Sequence, residues 1–486
     1  MIAAFVLALS LSAAVTATTP EGDAKTIAIV AQDETALRAA PRDAAEAQVL
    51  LALGDGLEIR DRQKEFLKVY DHRRERGGYV RTSQVRVLTL TPAQAPELLA
   101  VARFLRDMPG YEALGIGYVA AYLAAAPADA IGAEPFDALG TMAERLARRA
   151  STNTNKARAA AIAAQVDAVG AYGVAIRSFE RDDRMQLCYD GEAFRRVLAL
   201  PADADAKARA ALALTREACI DPALPPTERA TLDVWRADVR DRVPRAELPL
   251  YVRDRVRLRS AGVWASIAFE RARRGEDATE AGEHALAELT GVDRRELADG
   301  DAEAYDEAAV RVGASRWAAA ASRPLPAAGL VVTSAPRGPG ETCITLAERK
   351  RGNDTPLAQR CTFGIVWMTS ASANAGNTAL ALAVQPLDGW RELWVFHRDG
   401  DVWRIDTAPP GVDSSLGYVE LAGWVPGGRK MLVARELRSG GRFVKRFEVV
   451  DIATLAVDRH ADAPASLSLF YRWQDAAWKR ETVSLR

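Results

Sequence analysis

The spacing of apolar residues changes twice along this chain and divides it into three regions. In residues 26–88, apolar and polar positions alternate in short runs bounded by Gly and Pro, which predicts short β-strands. In residues 91–324, apolar residues recur every three or four positions, which predicts consecutive α-helices. In residues 329–486, short runs rich in Val, Leu and aromatic residues predict an antiparallel β domain. The predicted fold class is therefore multidomain α+β.

The first region carries strand and turn signals in a recognisable order. Leu57-Glu58-Ile59-Arg60 alternates apolar and polar positions, as a half-buried strand does, and Gly77-Gly78 marks a turn. This order resembles the bacterial SH3-like (SH3b) family. The residues that carry the resemblance are Leu37-Arg38-Ala39-Ala40-Pro41, Gly54-Asp55-Gly56-Leu57-Glu58-Ile59, Phe66-Leu67-Lys68-Val69 and Gly78-Tyr79-Val80.

The resemblance implies a small barrel of five or six strands, which in exported bacterial proteins often binds cell-wall peptides or other envelope partners. Two positions that hold tryptophan in the family are occupied by Phe66 and Tyr79 in this chain. The candidate residues for a binding surface are Arg38, Phe66, Tyr70 and Tyr79. The alternative is that this module docks against the helices that follow and binds no ligand.

The second region reads as an irregular array of helices separated by Pro and Gly. A helical stripe through Leu98, Val101 and Leu105 ends at Pro109-Gly110, and Ser151-Thr152-Asn153-Thr154-Asn155 is a capping cluster. Residues 211–218 are similar to the second helix of a tetratricopeptide repeat, but no 34-residue period recurs. Such an array presents a surface to a partner or serves as a spacer.

The third region contains a faint internal repeat. Residues 424–432 look like the turn of periplasmic propeller blades, and two strand patterns that end at Asp406 and Asp451 lie 45 positions apart. Only two blade-like units and a remnant fit, so we expect an open sheet or sandwich rather than a closed propeller. The last strands are predicted at Leu467–Trp473 and Trp478–Leu485. Seven of the ten tryptophans lie here, and we interpret them first as core residues and second as ligand-stacking residues.

The first residues predict export. An apolar run from Ile2 to Val15 is too short to span a membrane after maturation, and it leads to a small-residue cleavage site at Val15-Thr16-Ala17. Residues 1–17 are therefore predicted to be a signal peptide cleaved after Ala17, and the mature protein periplasmic or secreted. The alternative is an uncleaved anchor. No other apolar run reaches the length of a transmembrane segment.

The four cysteines form two local pairs, Cys188 with Cys219 and Cys343 with Cys361. An even number in an exported chain predicts disulfides, each contributing roughly 3 kcal/mol by closing a short loop. Metal ligation is the alternative, but the cysteine spacing is not that of a zinc site and the chain has only four histidines.

Charge and motif content narrow the function classes. The 65 acidic and 64 basic residues nearly cancel, so no overall field favours nucleic acid or an anionic membrane as a partner. We find no catalytic, cofactor or metal motif; Cys361 with His397 is a conceivable nucleophile and base, but the strand pattern around Cys361 favours the disulfide.

These observations predict an exported, non-catalytic binding or scaffolding protein of the bacterial cell envelope, whose SH3b-like module contacts peptidoglycan or an envelope protein. Two alternatives remain. The first is a cell-wall hydrolase with an acid-based site, and the second is a purely structural spacer.

Overall fold

The computed structural model describes residues 25–181, 183–320, 329–350, 353–412 and 416–481. The chain divides into two compact units, residues 1–201 and 202–486. An antiparallel sheet, then helices, then further antiparallel sheets follow one another along the chain, as predicted, and the helical region is shared between the two units. The predicted signal peptide, residues 1–17, lies outside the described residues.

The N-terminal unit begins with a seven-stranded antiparallel sheet of strand order β3-β2-β6-β5-β4-β1-β7. One face carries a core of aliphatic side chains that includes Leu37, Leu67, Val69 and Val80. Because side chains alternate between faces, the residues between these positions lie on the opposite, outer face. The strands are β1 (Thr26–Val30), β2 (Thr35–Arg38), β3 (Ala47–Leu51), β4 (Gly56–Gln63), β5 (Phe66–Asp71), β6 (Arg76–Arg81) and β7 (Val85–Thr89).

In the described residues of this unit, five helices and a hairpin follow the sheet. Their bounds are α1 (Ala95–Arg106), α2 (Glu112–Ala125), α3 (Glu134–Thr152), α4 (Lys156–Gly170), β8 (Ile176–Arg181), β9 (Arg184–Tyr189) and α5 (Glu192–Ala199). The sheet packs closely on α2 at Gly54, where a Cβ would lie 2.7 Å from the Ala113 carbonyl carbon. The Tyr172 hydroxyl also donates a hydrogen bond of 2.7 Å to the Gly54 carbonyl. The sheet is therefore docked against helices of its own unit.

One predicted helix ends earlier than its apolar pattern indicated. Helical spacing predicts a single helical face through Ile162, Val166, Val169, Gly173 and Ile176. In the structure, α4 ends at Gly170 and Ile176 begins strand β8. A turn at residues 171–173 ends the helix, and Gly173 has a φ of +82°. The β8–β9 hairpin was not predicted, because Ile176 and Phe179 of β8 lie three positions apart, which is a helical spacing rather than the alternation of a strand.

The C-terminal unit opens with five helices, α6 (Ala204–Leu214), α7 (Pro226–Asp241), α8 (Leu250–Arg273), α9 (Thr279–Thr290) and α10 (Ala302–Ser315). Helical spacing of apolar residues predicts one side of a helix at Leu232, Trp235, Val239 and Val243, but Trp235 is 37% exposed. The helix instead buries charged residues, and Arg236 Nη1 lies 2.6 Å from Asp233 Oδ1. Paired charges replace the apolar side chain on the buried face.

Two mainly antiparallel sheets follow in the same unit. The first is β10 (Gly329–Gly338), β11 (Glu341–Lys350) and β12 (Asn353–Thr362). The second contains β13 (Ile365–Ala373), β14 (Ala379–Leu387), β15 (Trp390–Asp399), β16 (Val402–Ala408), β17 (Gly417–Trp424), β18 (Lys430–Ser439), β19 (Arg442–Asp451) and β20 (Val457–Ala461). They share an apolar core that joins Val332 and Ile344 to Leu382 and Phe396. Within the second sheet, β15 and β17 pair in parallel and the other pairs are antiparallel.

The last described residues are helical, which corrects two predicted strands. The predicted strand Leu467–Trp473 forms α11 (Ser468–Trp473), and the described part of the predicted strand Trp478–Leu485 lies in α12 (Ala476–Glu481). Residues 482–485 of that prediction lie outside the described residues. Phe470 is fully buried, and Leu467, three positions earlier, is also buried. Burial at this spacing fits a helix. The alternation of Leu467, Leu469 and Tyr471 in so short a segment fitted either structure.

The disulfide predicted between Cys343 and Cys361 is confirmed. The two cysteines are register partners on β11 and β12, and their Cα atoms are 3.9 Å apart. None of the four cysteines is free, and Cys188 and Cys219 are both in the disulfide-bonded state. The pairing of Cys188 with Cys219 stays a prediction.

We predict that a Cys343→Ser, Cys361→Ser variant unfolds at a lower urea concentration than the parent protein. The loss is expected to be about 3 kcal/mol, because a link across an 18-residue separation restricts the unfolded chain. The urea midpoint followed by tryptophan emission measures it. Native, non-reduced parent protein is expected to expose no reactive thiol, and four reactive thiols would contradict both predicted disulfides.

Among the described residues, no helix is both long and apolar enough to cross a membrane.

Candidate functional site

The four binding residues predicted from the sequence lie on one face of the N-terminal sheet. Strand pairing places Arg38 opposite Tyr79, and Phe66 opposite Arg81, while Tyr70 is two residues along β5 from the partner of Tyr79. All point away from the core formed by Leu37, Leu67, Val69 and Val80. The structure therefore brings the predicted residues together on one surface, which we call the outer face.

The rings on the outer face are already covered by cations of the same unit. The Arg81 guanidinium lies 5.2 Å from the Phe66 ring centroid, and that of Arg60 lies 4.4 Å from the Tyr70 centroid. Phe66 is only 6% exposed. Such cation–π contacts satisfy part of each ring surface. Tyr79 is partly exposed.

Neighbouring acids neutralise much of the basic charge around this face. Arg81 pairs with Asp43 and with Glu65, and its hydrogen bond lowers the pKa of Asp43 below its ordinary value. Farther along the hairpin, Arg73 and Arg74 pair with the buried Asp55 at 2.8 and 3.0 Å. The outer face is therefore an aromatic surface with little net charge.

A second and more enclosed candidate lies in the C-terminal unit. A cavity of about 450 Å³ opens between strands of the large sheet, the 3-10 turn Arg316–Ala319 that follows α10, and the helices α11 and α12. This size falls within the range of small-molecule sites. We call it the tryptophan pocket, because four tryptophans line it: Trp317, Trp424, Trp473 and Trp478.

The four tryptophans play different parts. Trp478 is only 4% exposed and donates its indole N–H to Glu420 Oε2 at 2.9 Å, so it belongs to the wall. Trp424 donates to Ser372 Oγ at 3.2 Å and is partly exposed. Trp317 is partly exposed beneath the Arg316 guanidinium, and Trp473 is 39% exposed. Three of the rings therefore offer surface to a ligand.

A buried cluster of one acid and two arginines supports the pocket wall. Glu420 Oε1 accepts from Arg316 Nε and from Arg391 Nη2, each at 2.5 Å. Arg391 also donates to the Gly313 carbonyl at 2.6 Å, at the end of α10. Burial raises the pKa of Glu420, but the two guanidinium groups outweigh burial and hold that pKa below its ordinary value. Glu420 is thus a fixed carboxylate.

A β-bulge positions the turn between α11 and α12 on the sheet. The register of β17 and β18 shifts between Leu421 and Gly423, and the Ala422 carbonyl accepts the Asp475 amide at 2.7 Å. Gly423 has a φ of +157°, and a Cβ there would lie 2.4 Å from the Trp473 carbonyl oxygen. The close approach that places Trp473 at the pocket thus requires glycine.

The pocket rim is polar but nearly balanced in charge. Ser370, Gln474 and Asp475 supply donors and acceptors, and Arg472 supplies an exposed guanidinium. Asp475 Oδ1 accepts the backbone amides of Ala477 and Trp478 at 2.7 and 2.9 Å, which fixes the start of α12. In the described parts of the chain, Arg472 has no ion pair, and no group of three or more His, Cys, Asp or Glu residues could hold a metal ion.

The structure does not assemble the conceivable nucleophile and base. Cys361 is bonded to Cys343, and His397 is buried with its Nε2 2.6 Å from Asp406 Oδ2.

The tryptophan pocket, by contrast, was missed by sequence reasoning. The available signal was the concentration of tryptophans after residue 329, which also suits an ordinary core.

No family model, curated protein or solved structure matches this chain.

Proposed function

We propose that this protein is an exported, non-catalytic binding protein of the bacterial cell envelope that holds its ligand in the tryptophan pocket. The observation that carries the proposal is a 450 Å³ cavity at which Trp317, Trp424 and Trp473 keep exposed ring surface. Aromatic surface around a few fixed polar groups is the usual composition of a ligand site. The disulfide-bonded cysteines are consistent with a secreted protein.

Binding accounts for the pocket better than hydrolysis. An acid-based hydrolase needs a carboxylic acid that can donate a proton near neutral pH, which requires a raised pKa. Glu420 is held by Arg316 and Arg391 and has a lowered pKa. Asp475 Oδ1 is occupied by two backbone amides. The pocket therefore supports recognition.

We predict that the full-length protein, mixed with insoluble peptidoglycan, is retained in the pellet and releases no soluble fragments. Trp473→Ala is expected to weaken retention roughly three- to tenfold, because an aromatic stacking contact is worth about 0.5–1.5 kcal/mol beyond its buried area. Pelleting at increasing peptidoglycan concentration gives the apparent affinity.

Trp235→Ala is the matched control, because Trp235 has a similar exposure of 37% but lies on α7, away from the pocket. Its retention is expected to equal that of the parent protein. Equal retention of the parent and the Trp473 variant would contradict a role for the pocket. Soluble fragments released by the parent protein would favour the hydrolase alternative.

The outer face of the N-terminal sheet is a second candidate surface for the wall, because the four residues implied by the SH3b resemblance lie together there. If the outer face also binds the wall, Tyr79→Ala is expected to weaken retention of the protein on peptidoglycan roughly three- to tenfold relative to the parent protein. Tyr111→Ala is its control, since Tyr111 is 43% exposed and precedes α2. Unchanged retention of the Tyr79 variant would indicate that the sheet only docks against the helices of its own unit.

A further inference from the structure

We infer that the tryptophan pocket takes an uncharged, hydroxyl-rich ligand, namely a short neutral saccharide. This inference rests on the proposed binding function and specifies the chemistry of its ligand. Three observations support it: the ring surfaces, the mixture of hydrogen-bonding groups, and the near balance of charge among the lining residues.

The exposed rings suit the faces of sugar rings. A saccharide presents C–H groups on its faces and hydroxyls around its edge, so it needs aromatic surface and polar groups in the same site. Trp317, Trp424 and Trp473 supply large aromatic faces from three separate elements of the C-terminal unit. A tryptophan contributes large apolar area with little loss of conformational freedom.

The polar groups can both donate to and accept from hydroxyls. Arg472 offers guanidinium donors, and Gln474 offers an amide that can both donate and accept. The Ser370 hydroxyl donates to the Trp367 carbonyl and accepts the Ala383 amide, so it offers a ligand one remaining acceptor position. Fixed polar groups at the rim of an aromatic site select a hydroxylated ligand over a purely apolar one, since an apolar ligand would leave these groups without partners.

The charge of the lining excludes strong selection for an ion. Glu420, Asp475 and Glu481 line the pocket together with Arg316 and Arg472, and Arg391 lies behind them bound to Glu420. With Arg391 included, positive and negative groups are equal in number, and the lining residues alone carry one more acid than arginine. Arg316 and Arg391 are committed to Glu420, so they are not available to bind a phosphate.

A cationic ligand fits less well than a neutral one. Aromatic cages for quaternary ammonium groups present bare ring faces to the cation. Here the Arg316 guanidinium already lies 4.0 Å from the Trp317 centroid, and Arg472 adds a second positive group at the rim. Both would repel a bound ammonium ion.

The test is a titration of the full-length protein, followed by tryptophan emission and by calorimetry. The probes are neutral oligosaccharides of N-acetylglucosamine and of glucose, with inorganic phosphate, tetramethylammonium and indole as charged or apolar comparisons. We expect saturable binding of at least one neutral oligosaccharide. Its affinity should change little between low and high salt, because binding of an uncharged ligand is not screened.

Variants assign the binding to the pocket. Trp473→Ala is expected to weaken saccharide binding about tenfold, Trp473→Phe to restore part of it, and Trp235→Ala to leave it unchanged. Absence of saturable binding by every neutral saccharide would overturn the inference, as would unchanged affinity in Trp473→Ala. Saturation by phosphate, tetramethylammonium or indole without saccharide binding would also overturn it.

The two proposals fail separately. If Trp473→Ala reduces retention on peptidoglycan while no saccharide binds, the proposed function stands and the ligand class is wrong. If a saccharide binds at the pocket while the protein is not retained on peptidoglycan, the ligand class stands and the envelope function is wrong.

Discussion

Glu420→Gln is expected to destabilise the C-terminal unit by about 3–5 kcal/mol, because it leaves Arg391 buried without its counter-charge and Arg316 with only the more distant Glu481, at 3.5 Å. The same change weakens the acceptor of the Trp478 indole N–H and loosens the pocket wall. All ten tryptophans lie within residues 202–486. Urea unfolding followed by tryptophan emission therefore reports on this unit alone.

The pH dependence gives an independent check on this result. The pKa of Glu420 is lowered in the folded state. The stability that its carboxylate contributes is therefore fully present above the unfolded-state pKa and is lost as the pH falls through the folded-state pKa. The gap in unfolding free energy between parent and Glu420→Gln should thus be full at pH 7 and should shrink below about pH 4.3.

Asp399→Asn is the matched control for this prediction. Asp399 pairs with Arg404 in the same sheet at 2.9 Å, but both side chains are more than half exposed. Exposed pairs contribute about 0–1 kcal/mol, so this variant is expected to unfold close to the parent. Similar losses of unfolding free energy in Glu420→Gln and Asp399→Asn would show that the effect of Glu420→Gln does not depend on the burial of its ion pairs.

Gly423→Ala is expected to cost about 2–4 kcal/mol and to abolish the close contact between β17 and the turn after α11. The three atoms nearest to the added Cβ are all backbone atoms, namely the Trp473 carbonyl oxygen, the Asp475 amide nitrogen and the Gln474 Cα. Backbone atoms cannot rotate away, so the turn must move. We expect a lower urea midpoint and, under native conditions, a loss of ligand binding at the tryptophan pocket.

Gly441→Ala separates contact from backbone strain. Gly441 has a φ of +78° in the hairpin between β18 and β19, and nothing lies within 4 Å of a Cβ built there. The Gly441→Ala variant should lose only roughly 1 kcal/mol of unfolding free energy, the cost of a non-glycine residue in a left-handed conformation, and should keep ligand binding at the pocket. A Gly423 variant that behaves like the Gly441 variant would refute the contact between turn and sheet.

Local sequence patterns predicted the parts of the fold that depend on neighbouring residues. Alternation at Leu57 and Ile59 predicted a strand, and the Asn155 cap predicted the start of α4, where its side chain accepts the Ala157 amide at 3.0 Å. The Cys343–Cys361 pair was predictable because both cysteines lie in adjacent strand patterns joined by a short loop. The SH3b-like barrel and the blade-like repeats stay predictions.

The errors arose where tertiary contacts override a weak local pattern. The α11 segment alternates in a way that suits a strand, yet burial of Phe470 against Phe447 and Trp478 favours a helix. The α7 helix buries Arg236 and Asp233 because they neutralise each other, a pairing that hydrophobic periodicity does not register.

By itself, the sequence determined the order of strands, helices and strands, the Cys343–Cys361 disulfide and the positions of the aromatic residues on the outer face. These follow from the spacing of residues within a single strand, helix or loop. Only the tertiary structure decided the tryptophan pocket. Glu420 meets Arg316 across 104 positions and Trp478 across 58, and a single bulge at Ala422 sets where the last helices dock. Contacts between residues so far apart in sequence depend on how separate elements pack, and the local spacing of apolar residues does not encode this packing.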